Sequence, residues 1–408
     1  MGVLVPEEGA FFYPPQTLAA GVAVLTGAGY EAIAIDAVGE SLSTPRVLAQ
    51  AQDIAPALVA VLVSPQTWEG DRAFVRRLRR AMPRVPILLV GTGARFLPHD
   101  EWAPWADALL VGEVEWGLVS AVDALLREED APGLWRASTT TPPAPVWTPP
   151  DAVLPYPAWD ALPVERYPFL TLWGSRGCDL GCGYCPYAVG WGKERRARAA
   201  EDAAAELRWL AETFGKPRHI VRDSVFAIDP EWVNRFCDAL LRDGPPPPWE
   251  CEDRPDHLTL PLLSRMREAG CTQIKLGVEV LSPEVLVRWG RLRSPRDFVT
   301  YRAHAGEVIR ACRELGILCR AFVLIGIGES EADLEATEAF LREARPHYVS
   351  VKSFTPYPGV HPIPFQPLPA EVLARWQQRL LQTADPPRMP LWRRVRQYLR
   401  YRASGIGD

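Results

Sequence analysis

Three cysteines, Cys178, Cys182 and Cys185, stand in a C-x3-C-x2-C arrangement within the stretch GCDLGCGYCP at 177–186. Thiolates are soft donors suited to zinc or to iron–sulfur clusters, whose iron is usually held by cysteine sulfur. A structural zinc site closes on four ligands, usually supplied as two short pairs, and the chain contains no second C-x2-C and no H-x3-H. On spacing alone, zinc and three unliganded neighbouring thiols stay open beside a cluster with one iron lacking a protein ligand. Gly177, Gly181 and Gly183 give the backbone the freedom to wrap a bulky group, and Pro186 limits continuation of the loop.

The elements that must position this loop follow a strand-then-helix rhythm from Phe169 onward. Short apolar runs at FLTLW, HIVRDSV, WECED, QIKLGVEV, CRAFVLIG and YVSVKSF predict six strands. Helical spacing predicts helices over 197–214, 230–241, 260–269, 299–315 and 331–344. In barrels of alternating strands and helices, functional groups gather at the carboxyl ends of the strands. Those ends carry Asp223 and Ser224, Glu252 and Arg254, Glu279, and then Arg320, Gly326, Gly328 and Glu329. Carboxylates suit an ammonium, and arginine or hydroxyl donors suit a carboxylate, so the set fits a polar zwitterionic ligand.

Residues 1–130 alternate the apolar runs GVLVP, EAIAID, ALVAVLVS, PILLVG and ADALLVG with helical patterns over 16–28, 45–53 and 71–82. Five such runs predict a flavodoxin-like, Rossmann-type parallel sheet with helices on both faces and right-handed crossovers. Ligands of such sheets bind beyond the carboxyl ends of the strands, here at Ser64, Gln66 and Trp68, at Gly91, Thr92 and Gly93, and at Gly112 and Glu113. No G-x-G-x-x-G opens the first helix, which disfavours a dinucleotide. Residues 131–168 are proline-rich and read as an extended linker. The chain from 361 to 408 reads as a short helical tail. Within it 388–402 carries no acid and aligns Leu391, Val395 and Leu399 beside Trp392 and Tyr398, a basic amphipathic helix that packs on the barrel or contacts lipid or substrate.

The cysteine triplet, with Tyr184 before its third member, resembles the signature of the radical S-adenosylmethionine (SAM) superfamily. The resemblance implies a 4Fe-4S cluster held by Cys178, Cys182 and Cys185, SAM on the open iron, and a partial (β/α)6 TIM-type barrel over 169–360. It further implies SAM contacts from Tyr184, Asp223, Ser224, Arg254, Glu279, Arg320, Gly326, Gly328 and Glu329. The run FVLIGIGE resembles the family's adenine-side segment, with Phe322 where a glycine is expected, and YPG at 357–359 resembles the turn that follows the last strand.

Residues 1–130, with FFYPPQTLAAGVAVLTGAGYEAIAID and the late VGEVE, resemble the cobalamin-binding domain that precedes many radical SAM domains. The D-x-H-x-x-G of other cobalamin proteins is absent, and His99 is the region's sole histidine. The implied activity is methyl transfer from cobalamin to a substrate carbon radical made by the 5′-deoxyadenosyl radical, with an external electron donor and a small-molecule or peptide substrate. Cyclisation, oxidation or rearrangement with cobalamin as redox partner or absent is the alternative, and a cluster-bearing sensor is a third.

Composition sets the outer limits. The 408 residues include 48% hydrophobic and 23% charged side chains with net charge −5, which fits a globular two-domain chain and not one built around a polyanion-binding field. No apolar run of 18 residues occurs, so no membrane span is expected and a cytoplasmic location is. No cysteine precedes Cys178 and none follows Cys319, which leaves ligands for one cluster. Cys237, Cys251, Cys271, Cys312 and Cys319 read as buried small hydrophobes.

Overall fold

Leu88 and Leu109 are wholly buried in the two middle strands of a four-stranded sheet. The computed structural model describes residues 13–357 and 363–386 and divides the chain into two units, 1–224 with 355–362, and 225–354 with 363–408. The sheet belongs to the first unit, in the order β1 (Val59–Leu62), β2 (Ile87–Val90), β3 (Ala108–Leu110) and β4 (Leu134–Arg136). β1, β2 and β3 run parallel, and β4 returns antiparallel to β3. β2 is an unbroken apolar run because both of its faces are covered. On one face α1 (Gln16–Gly27) and α5 (Val114–Arg127) bring Ala20, Val24, Leu118 and Ala121 onto Leu88. On the other, α2 (Thr44–Ile54), α3 (Trp68–Ala81) and the short α4 (His99–Trp102) bring Val47, Val75, Leu78 and Trp102 onto Ile87 and Leu89.

Two features of this unit differ from the sequence reading. The run EAIAID at 31–36 is not a strand. Alternating apolar residues predict a two-faced segment, but a strand also needs a partner edge, and a cavity of about 690 Å3 lined by both Ile33 and Leu62 lies beside β1. The stretch expected as linker contains β4, and Val146 forms a parallel bridge with Gly112. Three residues of strand among prolines are too few to show a period of two.

The first unit continues with β5 (Leu170–Leu172) and β8 (His219–Val221), a parallel pair. Thr171 Oγ1 donates to Gln16 Oε1 at 2.8 Å and so joins β5 to α1. After β5, the two-residue strands β6 (Ser175–Arg176) and β7 (Arg196–Ala197) pair antiparallel and bracket the cysteine loop and α6 (Tyr187–Trp191). Helix α7 (Ala200–Phe214) follows and ends at Gly215.

In the second unit β9 (Trp249–Asp253), β10 (Cys271–Gly277), β11 (Leu318–Ile325) and β12 (Tyr348–Ser353) pair in that order, all parallel. Helix α8 (Pro230–Arg242) starts where Asp229 accepts from the amides of Glu231 and Trp232, and α9 (Leu260–Glu268) where Thr259 accepts from Leu262. The remaining helices are α10 (Pro283–Arg288), α11 (Asp297–Glu314), α12 (Glu331–Ala344), which opens on a Ser330–Asp333 capping box, and α13 (Ala370–Leu381).

All six strands and five helices expected after Phe169 are present, α13 falls in the stretch expected as a helical tail, and α6, α10 and the β6–β7 pair are additions. Cys237, Cys251, Cys271, Cys312 and Cys319 are all buried, and burial pushes the Cys237 thiol up to about 12. The run GVLVP, Gly359 and the basic helix over 388–402 lie outside the described residues. Among those described, no helix is long and apolar enough to cross a membrane.

Candidate active site

The cysteine loop is held from its backbone. At Gly177, φ is +77°, and an added Cβ would stand 1.9 Å from the carbonyl oxygen of Glu194, so only glycine lets the chain leave β6 this close to the returning strand. Next to it, the Cys178 amide donates to Gly192 O at 3.1 Å, the Ser224 hydroxyl donates to Gly177 O at 3.1 Å, and the Cys185 amide donates to Cys182 O at 3.1 Å. Cys178 and Tyr184 are buried, while Cys182 and Cys185 are half-buried. Burial raises the Cys178 thiol, against hydrogen bonds from Leu180 and Ser224 that lower it. An added Cβ at Gly181 meets nothing within 4 Å, so the loop is open on that side.

Among the described residues no three thiol, imidazole or carboxylate groups close round a single-ion site. The fit of a metal group here therefore rests on the donor set: three thiols on one glycine-hinged loop, with an open side, suit a cluster larger than one ion.

Asp223 lies at the carboxyl end of β8 with no exposed surface. Its Oδ1 accepts from the Gly174 amide at 2.7 Å and its Oδ2 from the Ser175 hydroxyl at 2.6 Å. Both oxygens thus bind the two residues that lead into the loop. Burial raises its carboxyl, against these hydrogen bonds.

The sheet's strand ends reach the same loop. Glu113, fully buried, pairs through Oε1 with Arg196 Nη2 at 2.5 Å and lies 3.9 Å through Oε2 from Arg176 Nε. Arg176 Nη2 pairs with Glu115 at 2.8 Å. The Thr148 amide donates to Glu113 Oε2 at 2.9 Å. Arg95 donates to the carbonyl of Val189 in α6 at 2.6 Å, and Thr92 Oγ1 lies 3.8 Å from where a Cβ on Gly190 would sit. Arg176, Arg196 and Ser175 were not singled out by sequence. Arg196 lies 83 residues from Glu113 in a run of several arginines, and nothing local marks the one that is buried.

The glycines at the expected ligand-binding strand ends are packed against the chain itself. A Cβ would stand 2.3 Å from Val63 O at Gly91, 1.9 Å from the Tyr357 hydroxyl at Gly93 and 2.1 Å from Val146 O at Gly112. At Gly91 and Gly112, where φ is positive and the neighbour is backbone, the lack of a side chain is thereby accounted for without a ligand. The turn after β1 differs: Gln66 is exposed, Ser64 and Thr67 are half-buried, and buried Asp71 accepts from the Ser64 amide at 3.1 Å and the Thr67 hydroxyl at 2.7 Å. Trp68 is buried and donates to Glu101 at 2.7 Å. The polar, partly exposed groups of Ser64, Gln66 and Thr67 fit the edge of a large amide-bearing cofactor such as cobalamin.

The second unit holds the other expected SAM contacts. Arg254 forks onto Asp256, with Nε to Oδ1 at 3.0 Å and Nη2 to Oδ2 at 2.6 Å. Burial would raise Asp256, but the hydrogen bonds and charge of Arg254 prevail and hold it below the usual carboxylate range. Glu279 takes the left-handed backbone at φ +63°, a strained setting for a non-glycine residue just beyond β10. Arg320 donates to the Ser350 hydroxyl at 3.2 Å and lies 4.7 Å over the Tyr348 ring. Glu329 accepts from the amides of Gly326 at 2.5 Å and Ile327 at 2.8 Å, which fixes the turn that contains Gly328.

Residues 174–341 match the family model described as the radical SAM superfamily. This chain carries a radical SAM domain. That domain implies a 4Fe-4S cluster and SAM, and its first residue is Gly174, held by Asp223. The chain is 23% identical to an uncharacterized methyltransferase of Pyrococcus horikoshii, PH0819, over 80% of this chain and 72% of that protein. It is also 23% identical to the bacteriochlorophyllide d C-12(1)-methyltransferase of Chlorobaculum tepidum, over 73% of this chain and 64% of that one. Among solved structures it resembles the radical SAM methyltransferase TsrM of Kitasatospora setae, which has cobalamin and a 4Fe-4S cluster bound. The TM-score is 0.71 at 19% identity, covering 85% of this chain and 73% of that one. The chain thus shares its fold with TsrM.

Proposed function

We propose that the protein is a cobalamin-dependent radical SAM methyltransferase that methylates a carbon of a small-molecule or peptide substrate. The observation that carries this reading is the direct attachment of the sheet's strand-end loop to the cysteine loop, through Glu113 and Arg196. A methyl donor at the sheet and a radical source at the cysteines must share one substrate, and this attachment belongs to a single unit of the chain. When bound, the cluster with SAM supplies one-electron chemistry and cobalamin supplies a transferable methyl group.

The chain's own residues bind, orient and shield. Cys178, Cys182 and Cys185 would hold the cluster, with SAM as its further ligand. Asp223 and Ser224 act on the loop's backbone, through Gly174, Ser175 and Gly177, and so position the cluster. Tyr184, buried in the same loop, joins the proposed SAM contacts. In the second unit Arg254, Arg320 and Glu329 bond Asp256, the Ser350 hydroxyl and the 326–327 amides, and with Glu279 they are the proposed SAM-side residues. The open barrel over 169–360 and the sheet domain over 1–130 are part of this proposal, as is the turn at Ser64, Gln66 and Thr67 as the cobalamin face.

SAM carrying a deuterated methyl group, given to the reduced full-length chain loaded with cluster and cobalamin, tests the reading. Transfer of the label to cobalamin is expected. Cleavage of SAM with no label on cobalamin would leave a radical SAM enzyme of another outcome and remove methyl transfer.

A further inference from the structure

Arg196 sits where three segments meet. Its Nη2 donates to Trp191 O at 2.9 Å, its Nη1 to Glu194 O at 3.0 Å and its Nε to Thr148 O at 3.2 Å, and its guanidinium lies 5.1 Å over the Trp147 ring. Trp191 and Glu194 flank Gly192, and Gly192 O accepts the amide of Cys178. One guanidinium therefore fixes both sides of the carbonyl to which the first cysteine is bound. Glu113 fixes the guanidinium in turn and has no exposed surface.

The surrounding guanidiniums are all paired. Glu113, Glu115 and Glu206 face Arg176, Arg196 and Arg198, paired as Glu113–Arg196, Glu115–Arg176 and Glu206–Arg198. A cavity of about 220 Å3 is lined by Arg176, Arg196 and Arg198 and by Glu115, Asp202 and Glu206, three guanidiniums against three carboxylates, and Glu113 adds a fourth carboxylate behind them, so no surplus of positive charge awaits an anion. A buried pair of this kind adds little net stability over apolar packing, while losing one member strands the other charge. Its use is better sought in geometry than in stability.

We propose that Glu113 and Arg196 form a clasp that sets the position of the Cys178 segment against the strand-end loop of the sheet. Both are positioning residues that act through the Trp191, Gly192 and Glu194 carbonyls and do not touch a reacting atom. The consequence that the clasp fixes the spacing between radical source and methyl donor rests on the function proposed above; the clasp itself does not.

Hydrogen exchange on the cofactor-free full chain separates the two. In Glu113→Gln, amide exchange in the 177–194 segment is expected to rise about tenfold while β2 keeps its parent rate, because local opening and global unfolding report separately. Glu113→Asp, which keeps the charge, is expected to recover part of that protection. In the loaded protein, the same Gln variant is expected to bind a full cluster yet show an altered SAM-dependent change in its electron paramagnetic resonance spectrum. Unchanged exchange at 177–194, or an equal rise at β2, would overturn the clasp. A parent protein whose cluster ignores SAM would overturn the functional reading and leave the exchange result standing.

Discussion

The Ser175 hydroxyl donates to Asp223 Oδ2 at 2.6 Å, and through this bond the end of β8 holds the first residue of β6, three positions before Cys178. A carboxylate expected to meet SAM is thereby occupied with the chain that carries the cluster ligands.

Asp223→Ala is therefore expected to cost about 1–3 kcal/mol by stranding the Gly174 amide and the Ser175 hydroxyl. Iron bound per chain after reconstitution should fall by more than half. Asp223→Asn keeps an acceptor for one donor and should load close to the parent level. Iron analysis beside urea melts distinguishes these outcomes, and full loading by the alanine variant would contradict the positioning role.

Asp253 sets a pH dependence in the second unit. It is buried, accepts from the amides of Ala227 and Arg254, and burial pushes its carboxyl up to about 7 from an ordinary 3.8. A raised value means that the folded chain holds this proton more tightly than the unfolded chain. The contribution is full below about pH 4 and is lost as pH rises to about 7, with a ceiling of about 4 kcal/mol. Asp253→Asn removes that loss, so the stability of the variant relative to the parent should improve between pH 5 and pH 8 in denaturant melts. Parallel pH profiles for the two proteins would show that Asp253 is ionised throughout.

Gly328 and Glu329 test the turn after β11. Gly328 has φ +98°, and an added Cβ would stand 3.0 Å from Phe365 Cβ, so Gly328→Ala should cost about 1–3 kcal/mol. Glu329→Gln can accept only one of the two amides now bound and should cost a similar amount. Both are expected to weaken SAM binding several-fold, read by calorimetry on reconstituted protein, with iron content unchanged. Unaltered SAM affinity would take this turn out of the SAM pocket.

Much of this arrangement was legible in the sequence because it is local. The cysteine spacing, the six strands after Phe169 and the five helices expected among them are each written in local spacing. What was not legible depends on partners distant in sequence. EAIAID has the alternation of a strand but does not pair with the free edge of β1, beside which a cavity lies, and β4 is hidden in a proline-rich stretch. Glycines 91, 93 and 112 look alike in sequence whether a ligand or the chain itself approaches them, and the structure places Val63, the Tyr357 hydroxyl and Val146 there. The residue types of Asp223, Arg254 and Glu329 suggest a polar ligand, whereas within the fold they bond the Gly174 and 326–327 amides, the Ser175 hydroxyl and Asp256.

The most direct test of the central claim is formation of 5′-deoxyadenosine from SAM by the reduced, cluster-loaded full-length chain beside its Cys182→Ala variant. The account predicts product from the parent, background from the variant, and reduced iron in the variant. Equal product from both, or none from a parent that carries a full 4Fe-4S cluster, would contradict it.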